Sequence, residues 1–250
     1  MNVEEQDRVS GRTRFSADVE HGDALEVAFV YSTEAHAMIR GIDTSEALAA
    51  PGVESVLTGR DIGSILTGRA ILDYPVLAVD RVAFIGQRVA AVAAVDRASA
   101  EAVASLVVVD YERLVPIFDM DEAYAAPVAA IHPDYASYVG AIPEPPVPNA
   151  QGAVNKVGGD AAGAIGAADV VYEHVFTTPR SHSAPMEPHA TVLVANDSEV
   201  HVHSTNKSPY FLRKYLAQVS GRAEDQITVH AVNIGGDFGS KGYPVVEGAL

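Results

Sequence analysis

The chain has 250 residues, 48% of them hydrophobic, a formal net charge of −16 and no cysteine. That apolar content is enough for one large or two modest globular cores, and so acidic a chain is a poor partner for nucleic acid or an anionic membrane. The lack of cysteine excludes disulfides, Cys-ligated iron–sulfur clusters and structural Cys zinc sites from this polypeptide, so redox chemistry here needs a bound cofactor or a partner chain.

The first residues, Met1 to Asp7, are polar and acidic, unlike a secretory or transit peptide. No apolar run approaches the ~20 residues of a membrane span, and the expectation is a cytoplasmic protein. Leu25–Ser32 and Ala37–Asp43 read as strands joined by a turn that ends at His36. Thr44 or Ser45 caps a short helix over Glu46–Ala50, Pro51-Gly52 ends it, and Val53–Leu57 is the next strand, which makes a βαβ unit. The pattern repeats in Val89–Val95, a helix over Arg97–Leu106 capped by Asp96, and a strand over Val107–Glu112. Such alternation predicts an α/β or α+β layer with helices on one face. His36 is a candidate ligand or base, with a backbone-bonded or exposed side chain as the simpler reading. Gly86-Gln87-Arg88 reads as a surface turn, with contact to a neighbouring domain as the alternative.

From Ala126 to Pro148 the periodicity stops and Pro127, Pro133, Pro143, Pro145, Pro146 and Pro148 accumulate. Proline in that density favours extended, semi-rigid backbone and marks a domain boundary. Tyr135 and Tyr138 suggest that this linker packs along a surface, because free linkers are poor in aromatics. The expected division is therefore 1–125, a linker over 126–157, and an incomplete domain over 158–250.

In the second half, Asp160 caps a small-residue helix running to Ala167, and Val170–Phe176 alternates as a strand. Ala190–Ala195 and Val200–Ser204 are two more strands around the turn Asn196-Asp197-Ser198-Glu199. His201 and His203 share one face of their strand, where they are either a two-His metal pair or exposed polar positions. Ser208 and Pro209 open a helix whose stripe is Leu212, Tyr215, Leu216 and Val219, and Gly221 closes it. After the strand Gln226–Val232 comes Gly235-Gly236-Asp237-Phe238-Gly239-Ser240-Lys241-Gly242. Its glycines let main-chain N–H groups approach an anionic ligand, and Lys241 adds a point charge, as in a phosphate cradle. The P-loop and G-x-G-x-x-G spacings are both absent, which weakens a nucleotide-dependent enzyme.

Four segments together resemble the large, molybdenum-cofactor-binding subunit of the xanthine dehydrogenase/aldehyde oxidase family, the molybdenum hydroxylases. They are Tyr31–Ala37 with Ile42-Asp43-Thr44 and Pro51-Gly52-Val53; Arg81–Val92; Pro185-Met186-Glu187-Pro188-His189; and Ser204-Thr205-Asn206 with the glycine loop. The resemblance implies an α+β protein, an α/β-hammerhead domain followed by the first part of a molybdopterin-binding domain. It places Asn206, Gly235, Gly236, Asp237, Phe238, Gly239, Ser240 and Lys241 at the cofactor. The implied reaction is hydroxylation of an aldehyde or an N-heteroaromatic carbon with water as oxygen source. Electrons would pass to iron–sulfur clusters and FAD on partner subunits, and a further chain would carry the rest of the molybdopterin-binding domain.

The chain departs from the family pattern in several places. Asn206 stands where glutamine is usual, Asp237 where glycine is common, and Gly242 where purine-oxidising members carry a substrate-orienting glutamate. Nothing before Leu250 aligns with the family's catalytic glutamate, and Glu187 reads as a structural, hydrogen-bonded carboxylate. The expectation is an N-terminal portion of such a subunit, by truncation or natural gene split, inactive alone. The competing reading is a cofactor-free binding or assembly module with the same fold.

Overall fold

The computed structural model describes residues 3–125, 130–143, 147 and 149–242. Pro127, Pro145, Pro146 and Pro148 lie outside the described residues. In chain order the elements are α1 (Val3–Val9), β1 (Glu26–Tyr31), β2 (Ala37–Asp43), α2 (Ser45–Ala49), β3 (Val53–Thr58), α3 (Gly59–Ile62), β4 (Leu66–Thr67), β5 (Tyr74–Pro75), β6 (Arg81–Val82), β7 (Arg88–Ala94), α4 (Arg97–Ala104), β8 (Val108–Arg113) and α5 (Met120–Ala125). After them come α6 (Ala161–Gly166), β9 (Thr191–Ala195), β10 (Val200–Ser204), α7 (Pro209–Ser220) and β11 (Ile227–His230).

The first half holds two three-stranded sheets, ordered β1-β7-β3 and β6-β2-β8, and every pairing in them is antiparallel. This corrects the βαβ expectation. β2 and β3 flank α2 as predicted, yet they belong to different sheets, and β7 and β8 are divided in the same way around α4. A strand-helix-strand pattern fixes the local elements, but pairing is decided by which faces can be buried together. Here Ala90 and Val92 of β7 are sealed under α2 and α4 by Ala47 and Val103. Ala37 and Ile39 of β2 pack instead with Ala78, Val82 and Val89. Val30, Ile42 and Val109 touch both clusters and join the two sheets into one layered body.

The helix ends follow the local rules. The Asp96 carboxylate accepts from the Ser99 N–H at 2.8 Å and starts α4. Thr44 occupies the cap position of α2 without a side-chain bond, and Asp43 holds the turn by accepting from the Ser45 N–H and hydroxyl. Asp160 caps α6 through the Gly163 N–H at 2.9 Å.

The described part of the proline-rich segment lies along the first half, as the two tyrosines implied, but as turns and a short 3₁₀ helix over Tyr135–Ser137. The Leu72 N–H donates to the Val139 carbonyl at 2.9 Å, and the Tyr135 hydroxyl donates to the Gln151 carbonyl at 2.9 Å. Gly140 has φ +84°, and a Cβ there would stand 1.9 Å from the Ala70 carbonyl oxygen. Gly140→Ala is therefore expected to lift this strap from the loop at Ala70-Ile71. Limited proteolysis should show faster cleavage between residues 130 and 143, and an unchanged pattern would refute the contact.

Val170–Phe176 is not a strand. The segment runs exposed and without a ladder, because alternation alone does not provide a partner for main-chain N–H and C=O groups. The hairpin β9–β10 forms as expected, its turn closed by the Asn196 N–H donating to the Glu199 carbonyl. β11 adds to β10 in parallel after the crossover α7. Leu212, Tyr215, Leu216 and Val219 of α7 cover Val200, Val202 and Ile227, and Val76 of the first half enters the same core.

Candidate functional site

Three segments far apart in sequence meet beyond the end of the β9-β10-β11 sheet: residues 185–190, the strand-to-helix junction 204–208, and the loop 235–242. Thr205 is the fully buried pin of the first two. Its N–H donates to the Ala190 carbonyl at 2.9 Å and its hydroxyl accepts from the Ala190 N–H at 3.2 Å. The Lys207 N–H then donates to the Lys241 carbonyl at 2.9 Å, which ties the junction to the glycine loop. Ser208 sits at the cap position of α7 without a side-chain cap bond. The main chain there is held instead by Asn206 Oδ1, which accepts from the Ser208 N–H at 2.7 Å.

Lys241 does not have the placement expected of a point charge for a ligand. Its side chain is fully buried, and Nζ lies 2.5 Å from Glu187 Oε2. The same oxygen accepts from the Gly235 N–H at 2.5 Å, while Glu187 Oε1 is buried without a protein partner. One carboxylate thus fastens both ends of the loop, and Glu187 has the structural character read from its sequence context. An ion pair this deep gains little over apolar packing, but losing one member strands the other charge.

Asp237 also turns inward. Its carboxylate pairs with Lys207 Nζ and accepts from the N–H groups of Lys241 at 2.5 Å and Gly239 at 3.1 Å. The loop therefore presents no free carboxylate at this position, and the extra charge relative to glycine is balanced by Lys207. The hydrogen bond from Lys207 holds the Asp237 pKa below its ordinary value, helped by the two N–H donors and partly opposed by burial. A carboxylate whose folded pKa is depressed stabilises the fold above its unfolded pKa, and this is lost as pH falls through the folded value. Acidification below the ordinary carboxylate range should loosen the loop. Lys207→Met is expected to flatten that part of the pH–stability curve, as followed by denaturant unfolding across the acid range.

With Asp237 folded under it, the loop turns its tip outward. Phe238 adopts φ +46°, in the left-handed region that non-glycine residues seldom occupy, and its ring is 77% exposed. The N–H groups of Gly235, Gly239, Ser240 and Lys241 are all taken within the site. Among the described residues, those of Gly236, Asp237 and Phe238 have no acceptor. Successive unused N–H groups at a left-handed turn form a concave donor set for an oxygen-rich, anionic ligand. Gly242, where the family pattern has a substrate-orienting glutamate in some members, lies against Lys207, and a Cβ there would be 2.8 Å from Lys207 Cε.

The other candidates fall elsewhere. His36 is buried, and its Nδ1 is bonded to the Val115 carbonyl at 2.9 Å, so it is a backbone-bonded histidine. Gln87 is buried rather than on the surface, its Oε1 accepting from the Ala83 N–H within the tight turn at Gly86. His201 and His203 do share a face, and the parallel register places His230 beside them, a neighbour that local spacing did not reveal.

Both halves of the chain match known proteins. Residues 10–115 match the family profile described as aldehyde oxidase and xanthine dehydrogenase, a/b hammerhead domain, and residues 144–250 match the molybdopterin cofactor-binding domain. The chain is 33% identical to the 6-hydroxypseudooxynicotine dehydrogenase complex subunit gamma of Paenarthrobacter nicotinovorans, over 97% of this chain and 31% of that protein. It is 34% identical to the carbon monoxide dehydrogenase large chain of Afipia carboxidovorans, over 96% of this chain and 30% of that protein. Among solved structures, quinoline 2-oxidoreductase from Pseudomonas putida 86 superposes with a TM-score of 0.83 at 26% identity, covering 100% of this chain and 32% of that one. The chain thus spans less than a third of the length of these relatives. No helix among the described residues is long and apolar enough to cross a membrane.

Proposed function

Because this chain belongs to the aldehyde oxidase and xanthine dehydrogenase family and contains a molybdopterin cofactor-binding domain, we propose that the loop 235–241 and Asn206 form one wall of a molybdenum–molybdopterin site. The enzyme they serve is an oxidoreductase that oxidises an aldehyde or an N-heteroaromatic carbon with water as oxygen source. The observation that carries the reading is the run of N–H groups at Gly236, Asp237 and Phe238 that find no acceptor among the described residues. It fits a group whose periphery is rich in anionic oxygen, on a chain whose net charge of −16 gives no general attraction for one. The cofactor, when bound, supplies the oxidation chemistry.

The residues of this chain hold and orient it. Glu187 and Lys241 fix the two ends of the loop, Asp237 and Lys207 hold its underside, and the exposed Phe238 ring shields one side of the site from water. No residue of this chain is assigned as the proton-transferring group. Iron–sulfur and FAD subunits are the partners we propose. The absence of cysteine supports placing the clusters elsewhere. A relative whose name makes it a complex subunit supports a multi-subunit assembly. On this reading the 250-residue chain is inactive alone and works in the cytoplasm.

The test is elemental and flavin analysis of the chain purified from its own source with whatever accompanies it. Molybdenum, iron and flavin travelling together with further polypeptides is the expected result. A chain recovered alone and metal-free would overturn the proposal in favour of a cofactor-free binding or assembly module.

A further inference from the structure

On the face of the β9-β10-β11 sheet opposite α7, histidines from separate segments collect. His201 and His203 alternate along β10, and the parallel register sets His230 beside His203. The rings of His203 and His230 stack with centroids 4.4 Å apart and planes 5° apart. His201 Nδ1 is 3.0 Å from His230 Nε2, while the other nitrogen of His201 lies 3.4 Å from Glu199 Oε1. The His201 side chain is 37% exposed, so the pair opens to solvent. His21, in the segment before β1, is near enough to act on the same cluster, and burial together with these neighbouring rings holds the His203 pKa below its ordinary value.

We propose that His201 and His230 form a binding site for a divalent transition-metal ion of tetragonal preference, Cu²⁺ before Ni²⁺ before Zn²⁺. The argument is geometric. With metal–nitrogen bonds of about 2.0–2.1 Å, two nitrogens at this separation subtend roughly 91–97° at a shared ion. That is the cis angle of a tetragonal or octahedral centre rather than the wider angle of tetrahedral zinc, and imidazole pairs bind along the same metal order.

Glu199 supplies what such a site needs behind its first ligand. A carboxylate beside His201 Nε2 keeps the proton there and leaves the Nδ1 lone pair free. In the metal-free state that lone pair accepts from His230 Nε2–H. On binding, His230 moves its proton to Nδ1 and turns the Nε2 lone pair to the ion, with no net proton released from the neutral pair. Among the described residues no set of three or more metal-ligating side chains converges, so the two imidazoles act as a bidentate ligand and solvent completes the shell. His203 stacks on His230 and orients it without ligating. The site is separate from the glycine loop and stands whether or not that loop holds molybdopterin.

The test uses the purified 250-residue chain, prepared without a polyhistidine tag and titrated with CuCl₂, NiCl₂ and ZnCl₂. One equivalent of Cu²⁺ should bind, with a paramagnetic resonance spectrum showing two coupled nitrogens per ion and affinities falling in the order given. His201→Gln and His230→Gln should each weaken Cu²⁺ binding about ten-fold or more. His174→Gln, on the exposed segment before β9, should leave it unchanged. A parent spectrum with one nitrogen or none would overturn the proposal, and that measurement needs no variant to fold. So would folded His201→Gln and His230→Gln proteins that bind Cu²⁺ as the parent does.

Discussion

Lys241→Met is expected to destabilise the protein by about 3–5 kcal/mol, the usual cost of breaking a buried ion pair from one side. The substitution keeps the apolar stem and removes only the ammonium, leaving the Glu187 carboxylate at a site where its Oε1 already lacks a protein partner. The double variant Glu187→Gln/Lys241→Met should regain a large part of the loss, because no uncompensated charge then remains. Denaturant unfolding of the parent, both single variants and the double variant closes the cycle. A Lys241→Met protein within about 1 kcal/mol of the parent would show that the pair is not formed as described.

Gly235→Ala is expected to disable the loop far more than the same change one residue on. A Cβ at Gly235 would stand 2.9 Å from Glu187 Cβ and 3.0 Å from its Oε2. Those atoms cannot yield cheaply, since the Glu187 carboxylate is engaged by Lys241 and by Gly235 itself. Overpacking of this kind typically costs about 1–3 kcal/mol. A Cβ at Gly236 would meet only the far edge of the Phe238 ring, at 2.7 Å, and an exposed ring can swing aside. Gly236→Ala should therefore cost less than about 0.5 kcal/mol. Thermal unfolding should separate the two variants, and molybdenum per chain in the assembled enzyme should fall for Gly235→Ala. Equal losses from both would mean that Glu187 does not govern the loop.

These expectations depend on contacts that no local reading of the chain supplies. The helix over Pro209–Ser220 was legible because its signals are adjacent: proline at the start, a stripe at helical spacing, and Gly221 in the left-handed region at its end. The caps at Asp96 and Asp160 and the turn at Asn196 were legible for the same reason. What failed was partnership. Nothing near Ala37–Asp43 says that it pairs with β6 and β8 rather than with β3, and nothing near Val170 says that its alternating run has no neighbour.

The site shows the same division. Glycine spacing announced an unusual loop at 235–242, but the role of Lys241 turned on Glu187, many residues upstream, and a lysine beside glycines reads as a ligand contact until its partner is known. Asp237 read as an intruding charge until Lys207 was seen beneath it. His230 joined His201 and His203 only through the parallel register that α7 imposes. In each case the residue type was informative, and the missing quantity was a distance across the fold.

Val76 carries a consequence for the order in which the molecule is made. It belongs to the first half by position, yet its neighbours are Val200, Val202 and Leu212 of the second. Synthesis delivers Val76, with Ile62, Ile65 and Tyr74 packed against the same core, long before those neighbours exist, so the emerging first half displays an apolar patch that only the second half completes. The sheet of the second half in turn closes its core around side chains that it does not encode. Severing the chain at the proline-rich strap would leave one fragment sticky and the other hollow, and a split of the gene at that point would yield two products that need one another to become soluble.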